Sequence, residues 1–119
     1  MKNKITFDEY KELKTKLDIQ MGQVMTAIRI PKKDKLLQLG VRFGSDKTVL
    51  KTIVTNLGET YEPEAFIGKL LPFITNLVPS KFGGVLSEGM IVVCEATIPE
   101  FEGDVEVFDH DYSVGTRLF

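Results

Sequence analysis

A mostly β fold, a five-stranded Greek-key barrel with a short N-terminal helix, is predicted by three features of the sequence. Apolar and polar residues alternate with period two through several short runs. Gly, Pro, Asn and Asp punctuate those runs. The element order reads helix, three strands, short helix, two strands and a β-rich C-terminal extension.

Thr6-Phe7-Asp8-Glu9 is a capping box, in which the Thr6 hydroxyl accepts the Glu9 amide while Glu9 reaches back. Ile5 and Tyr10 stand where a hydrophobic staple packs, and Phe7, Tyr10, Leu13 and Leu17 follow helical spacing. These signals predict an amphipathic helix over 7–15, inside an N-terminal extension of residues 1–16. So short a helix is marginal alone, so it is expected to dock on something.

From Leu17 the period is two. Leu17, Ile19 and Met21 alternate with Asp18 and Gln20, then Val24, Thr26, Ile28 and Ile30 continue on the opposite parity. The slip falls at Gly22-Gln23, where a β-bulge would bend the strand. Leu37, Leu39, Val41 and Phe43 form strand two, ended by the turn Gly44-Ser45-Asp46-Lys47. Val49 to Asn56 is strand three. Pro63 at a first helical position and Gly68 as a stop mark the short helix. Leu70 to Thr75 is strand four, and Pro72 places it near a sheet edge or a bulge. Residues 76–84 read as a loop and Gly89 to Cys94 as a buried strand. Val105, Val107 and then Val114 to Leu118 give two short strands. Five strands with a helix between the third and fourth match the OB-fold, whose sheet face and flanking loops bind oligonucleotides or oligosaccharides.

The 119 residues suit one domain, and a composition 43% hydrophobic and 27% charged excludes wholesale disorder. The single cysteine, Cys94, permits no internal disulfide. No apolar run approaches the roughly 20 residues that span a bilayer, and no apolar segment follows Met1-Lys2-Asn3-Lys4-Ile5. A cytoplasmic domain with no membrane partner is expected. The net charge of −2 hides an uneven distribution. Residues 1–58 carry 12 Lys/Arg against 6 Asp/Glu, and residues 59–119 carry 3 against 11. The basic excess gathers at Arg29, Lys32, Lys33, Lys35, Arg42, Lys47 and Lys51, and the acidic excess falls within a C-terminal extension, residues 95–119. A polyanion feels the potential within about 10 Å, so a basic face can serve it despite the net charge.

Catalytic constellations are missing from the sequence. His110, the only histidine, sits between Asp109 and Asp111 in an acidic turn, and a solvated turn outweighs a metal site there. Cys94 ends an Ile-Val-Val run and reads as a small hydrophobe. Ser87 lacks the first glycine of a nucleophile elbow, and neither a phosphate-loop motif nor a dinucleotide glycine fingerprint occurs. No enzyme and no cofactor are expected.

Two segments carry a more specific signal. Gly68-Lys69 with Asn76-Leu77-Val78-Pro79, followed by Gly84-Val85-Leu86-Ser87-Glu88-Gly89-Met90, resembles the late-barrel signature of the tRNA-binding domain family. That family includes the C-terminal domain of bacterial methionyl-tRNA synthetase, its free-standing beta-subunit forms and endothelial-monocyte-activating-polypeptide-like proteins. Pro31-Lys32-Lys33-Asp34-Lys35-Leu36 is similar to the family's stretch after strand one, Leu17 to Val24 to its opening strand, and Val114-Gly115 to Leu118 to its closing strand.

The resemblance implies an OB-fold, non-catalytic binding of tRNA, and a homodimer, free-standing or acting in trans with an aminoacyl-tRNA synthetase. On that basis residues 1–119 are one tRNA-binding domain. Asp34, Lys35, Asn76, Ser87, Glu88 and Met90 are carried over as RNA-facing, and charge adds Lys32, Lys33 and Lys81. The lysines would attract phosphates, Met90 and Phe82 would offer apolar surface to a ribose or base, and Ser87 and Asn76 would bond 2′-hydroxyls or base edges. A chaperone-like or protein-interaction dimer of the same fold is the alternative.

Overall fold

The computed structural model describes residues 2–92 and 114–118. The expectations for Cys94, Val105, Val107, His110 and most of the acidic segment lie outside those residues. Helix α1, Phe7–Lys16, begins with the predicted capping box. The Glu9 amide donates to Thr6 Oγ1 at 3.1 Å, and the Thr6 amide donates to Glu9 Oε1 at 3.3 Å. None of its residues is buried, and Phe7 is 68% exposed. Ile5 and Leu13 are likewise exposed, at 54% and 50%.

Among the described residues seven strands follow: β1 (Ile19–Ile30), β2 (Lys33–Arg42), β3 (Lys51–Thr55), β4 (Leu70–Ile74), β5 (Ser80–Phe82), β6 (Val85–Ser87) and β7 (Met90–Ile91). Five of them form one antiparallel sheet in the order β3-β2-β1-β4-β7, and β5 and β6 form a separate hairpin. Strand β1 is the hub. Its first half pairs with β4, from Ile19↔Ile74 to Gln23↔Leu70, and its second half with β2, from Gln23↔Arg42 to Ile30↔Lys33. Thr116 and its neighbours lie along the first half of β1, where the Met21 amide donates to the Thr116 carbonyl at 2.8 Å. Two short 3-10 helices, Leu57–Glu59 and Pro63–Ala65, connect β3 to β4, and the second begins at Pro63 as the predicted short helix does.

The bend in β1 comes later than the sequence predicts. The register breaks between Val24 and Thr26, at Met25, and again between Arg29 and Ile30. Gly22 instead makes room: a Cβ there would stand 2.6 Å from the Phe43 ring and from Val41 Cγ1. After Met25 the parity reverses, Ala27 packs against the core, and Ile28 is left 56% exposed instead of facing inward with Val24. Val24, Leu37, Leu39, Val41, Ile53, Phe66 and Phe73 fill the core, where Phe43 meets Phe73 edge-on at 5.6 Å.

Pro72 sits inside the sheet, in β4 between β1 and β7. Its carbonyl accepts from the Val92 amide at 2.9 Å, so its missing N–H also lies on the side away from β1 and the β1–β4 ladder loses nothing. Residues 80–84, predicted as loop, form with residues 85–87 the β5–β6 hairpin, with Ser80↔Ser87, Lys81↔Leu86 and Phe82↔Val85. Gly83 and Gly84 both have positive φ, 59° and 83°, as a two-residue primed turn requires.

The strand order leaves β3 with one bare edge. Among the described residues no ladder covers it; the chain leaving β6 does so with two side chains and one backbone amide. The Val54 amide donates to Ser87 Oγ at 2.9 Å, and the Thr52 amide donates to Glu88 Oε2 at 2.8 Å. The Glu88 amide donates back to the Thr52 carbonyl at 2.8 Å, and Ser87 Oγ donates to the Gly89 carbonyl at 2.9 Å. Gly89 then threads between β3 and β4: a Cβ would stand 2.5 Å from the Ile74 carbonyl oxygen and 2.9 Å from Ile53 Cδ1. Ser87-Glu88-Gly89 is thus the seam of the curled sheet.

Ser87→Ala orphans the buried Val54 amide and is expected to cost about 1–3 kcal/mol in urea unfolding; an unchanged midpoint would remove the seam from this role. At the other end of the sheet, Asp18 is held below the ordinary carboxylate range by the Gln20 side-chain amide above all, against an opposing effect of burial that the Arg117 and Thr75 contacts help to outweigh. A lowered folded-state value means that the stabilisation is present above the unfolded value of about 3.9 and is lost as pH falls through the folded one. Asp18→Asn is expected to lose at most about 1 kcal/mol at pH 7, because Arg117 is mostly exposed, and the difference should close under strongly acidic conditions. A gap that persists at low pH would contradict the assignment.

Candidate nucleic-acid interface

The hairpin joining β1 to β2 is a basic arm. Pro31 and Lys32 make its two-residue turn, with Lys32 at φ +63°, the pattern of a type II turn with proline first and a left-handed residue second. Glycine would take that second position without strain; a lysine there costs about 1–2 kcal/mol of backbone energy. Lys32, Lys33, Asp34 and Lys35 are all exposed. Lys35 reaches Glu59 at 3.5 Å in a pair that water screens on both sides. Among the described residues Lys32, Lys33 and Lys81 form no ion pair.

Arg29 holds the arm in place. Its Nη1 donates to the Asp34 carbonyl at 2.8 Å and to the Gly58 carbonyl at 2.7 Å, and its Nη2 meets Glu62 Oε2 at 3.0 Å. Arg42 is likewise spent on the fold, donating to Gln23 Oε1 at 2.8 Å and to the Gly44 carbonyl at 2.9 Å. Two members of the basic cluster read from the sequence are therefore structural, and the outward charge belongs to lysines.

The tip of the β5–β6 hairpin leans on this arm. A Cβ at Gly83 would stand 3.0 Å from Leu36 Cδ1 and 3.3 Å from both Ile30 Cγ2 and Lys33 Cγ. Between hairpin, arm and β3 lies a cleft of about 210 Å³ lined by Leu36, Val54, Thr55, Asn56, Phe82 and Met90. Phe82 is 39% exposed at its wall, and Met90 is half-buried opposite the arm's Leu36. Lys81, next to Phe82, points from the other face of the hairpin, as strand alternation dictates.

Of the nine residues singled out in the sequence, the structure brings Lys32, Lys33, Asp34 and Lys35 together on the arm, with Met90 in the adjoining cleft. Ser87, 3% exposed, and Glu88 use their polar atoms on the edge of β3. Asn76 lies at the opposite end of β1, where its Oδ1 accepts from the Asp18 amide at 2.8 Å and its Nδ2 donates to the Lys16 carbonyl at 2.6 Å. It fastens α1 to the sheet. Leu36 and Asn56 were not marked by the sequence reading. The Gly83-Gly84 pair, a two-residue hairpin signal, was the clue that could have brought Phe82 back toward strand two.

The fold is thus an antiparallel sheet that carries a lysine-bearing arm beside an apolar cleft. Residues 19–117 match the family described as "Putative tRNA binding domain", and the chain belongs to that family of non-catalytic binding domains. The methionine–tRNA ligase of Parabacteroides distasonis is 38% identical over 114 residues, which is 96% of this chain and 15% of that protein. The methionine–tRNA ligase of Methanococcoides burtonii is 45% identical over 91 residues, 76% of this chain and 12% of that protein. The chain thus spans no more than 15% of the length of these relatives. Among solved structures, a MetRS-related protein from Pyrococcus horikoshii superposes with a TM-score of 0.70 at 28% identity, covering 99% of this chain and 100% of that one. The chaperone CsaA of Bacillus anthracis superposes at 0.66 with 19% identity over 98% and 100%, a likeness of fold.

Lys32→Gly relieves the left-handed strain but loosens the unfolded chain, so the net expectation is a gain of about 0.5–1 kcal/mol in thermal unfolding. A destabilised Lys32→Gly would show that the side chain, not the backbone, governs this turn.

Proposed function

We propose that this chain is a shape-selective tRNA-binding module that works free-standing or in trans with an aminoacyl-tRNA synthetase, as a homodimer in the cytoplasm. The observation that carries the reading is the exposed lysine arm at residues 32–35, locked by Arg29 and set beside an apolar cleft. Lysines supply a sequence-independent attraction to phosphates, and few residues on this surface can read base edges, which favours recognition of a folded shape. Family membership supplies the class of RNA. No helix among the described residues is long and apolar enough to cross a membrane.

The exposed apolar side chains Ile5, Phe7 and Leu13 support the use of α1 between two copies of the chain. Dimerisation doubles the contacts and raises effective affinity through a tethered second site. The shared fold with the chaperone CsaA keeps a protein-interaction dimer as the competing reading.

Titration of unfractionated tRNA across salt concentrations is the direct test. Affinity is expected to fall linearly on a log–log plot, with a slope reduced by about 1 in Lys32→Ala and in Lys33→Ala. Ser87→Ala is expected to lower stability and leave the slope alone. Salt-insensitive binding, or no binding at micromolar protein, would favour the chaperone-like reading. Sedimentation of the chain lacking residues 1–16 is expected to give a monomer; a persistent dimer would move the interface off the helix.

A further inference from the structure

We infer that the cleft beside the basic arm receives one unpaired base of a folded RNA. This rests on the tRNA-binding reading and adds to it the feature of the RNA that is selected: a base swung out of its stack.

The lining has the chemistry of a stacking slot. Leu36, Val54, Phe82 and Met90 make it apolar, and the Phe82 ring remains partly open to solvent at one wall. An exposed aromatic face held on a two-residue glycine turn has few rotamers to lose when a flat ring settles on it. At about 210 Å³ the cleft falls below the roughly 300–1,000 Å³ of sites for drug-sized ligands, so it suits a single ring system and not a base pair. At its rim stands Asn56, which is exposed, and its side chain does not cap the 3-10 turn that follows. Its carboxamide offers a donor and an acceptor to a base edge.

Charge decides between occupants. An apolar cleft alone could take a peptide side chain as readily as a base. Here Lys33 touches the hairpin tip that carries Phe82, Lys32 is next to it in the turn, and no carboxylate lines the cleft. An anionic backbone is therefore drawn to the mouth while the apolar slot takes what that backbone presents. In double-stranded RNA every base is stacked and paired, so the slot stays empty and only phosphate contacts remain. A loop or bulge offers both at once.

The experiment compares an RNA hairpin carrying one unpaired, bulged nucleotide with the same stem fully paired, by fluorescence anisotropy with the full chain. The bulged hairpin is expected to bind about tenfold more tightly, the range of one base–aromatic stack. Phe82→Ala is expected to erase that preference, so that the two hairpins bind it equally. Phe82→Leu, which keeps an apolar wall without a ring, should erase most of it, and thermal melts confirm that both variants fold. Asn56→Ala should alter which base is preferred in the bulge. Equal binding of the two hairpins by the unmodified chain, or a preference that survives in Phe82→Ala, would overturn the inference while leaving tRNA binding in place. Failure of every RNA, tRNA included, to bind would instead remove the underlying reading as well.

Discussion

The constraint on which the rest of this structure depends is the bare edge of β3. A strand edge with free N–H and C=O groups invites pairing with another chain, and burying those groups unpaired costs more than the bonds return. Here β7 is only two residues long, and its ladder is with β4. Two adjacent side chains, Ser87 and Glu88, take up the Val54 and Thr52 amides instead. Because they lie at the end of β6, the same contacts fix the β5–β6 hairpin against the sheet. The cleft owes its shape to that seam, since one wall is the hairpin and the floor is β3.

The basic residues divide their labour by chemistry. A guanidinium presents a rigid fork of donors, suited to fixed carbonyls, and both Arg29 and Arg42 are used that way. An ammonium on a flexible stem suits a mobile polyanion, and Lys32, Lys33 and Lys35 stand outward. The positive φ at Lys32 fits the same division: a turn that would relax with glycine carries a cation at its tip. Stability has been given up where charge is displayed.

The sequence was informative where the determining interactions are local. The capping box and the alternation through Leu37, Leu39 and Val41 are short-range patterns, and each stands where it was expected, whereas the predicted closing strand at 114–118 is a turn followed by a single bridge, Gln20↔Arg117. It was misleading where distant residues decide. Gly22 looked like a bulge because of its parity slip, yet its role is to admit Phe43, twenty-one positions away. The parity of Ile28 then followed from a bulge at Met25 that no residue type announces. Ser87, Glu88 and Asn76 stood out as a polar pattern, but in the folded chain their hydrogen bonds run to Val54, Thr52, Asp18 and Lys16. The same pattern is compatible with facing RNA or fastening a fold, because side-chain chemistry is identical in both.

Native-state hydrogen exchange of the Thr52 and Val54 amides tests the seam most directly. If the serine hydroxyl and the glutamate carboxylate close β3, both amides exchange as slowly as those of the β1–β2 ladder, through the same deep opening. Exchange at the rate of an exposed loop, with the ladder still protected, would contradict closure of the sheet by these two side chains.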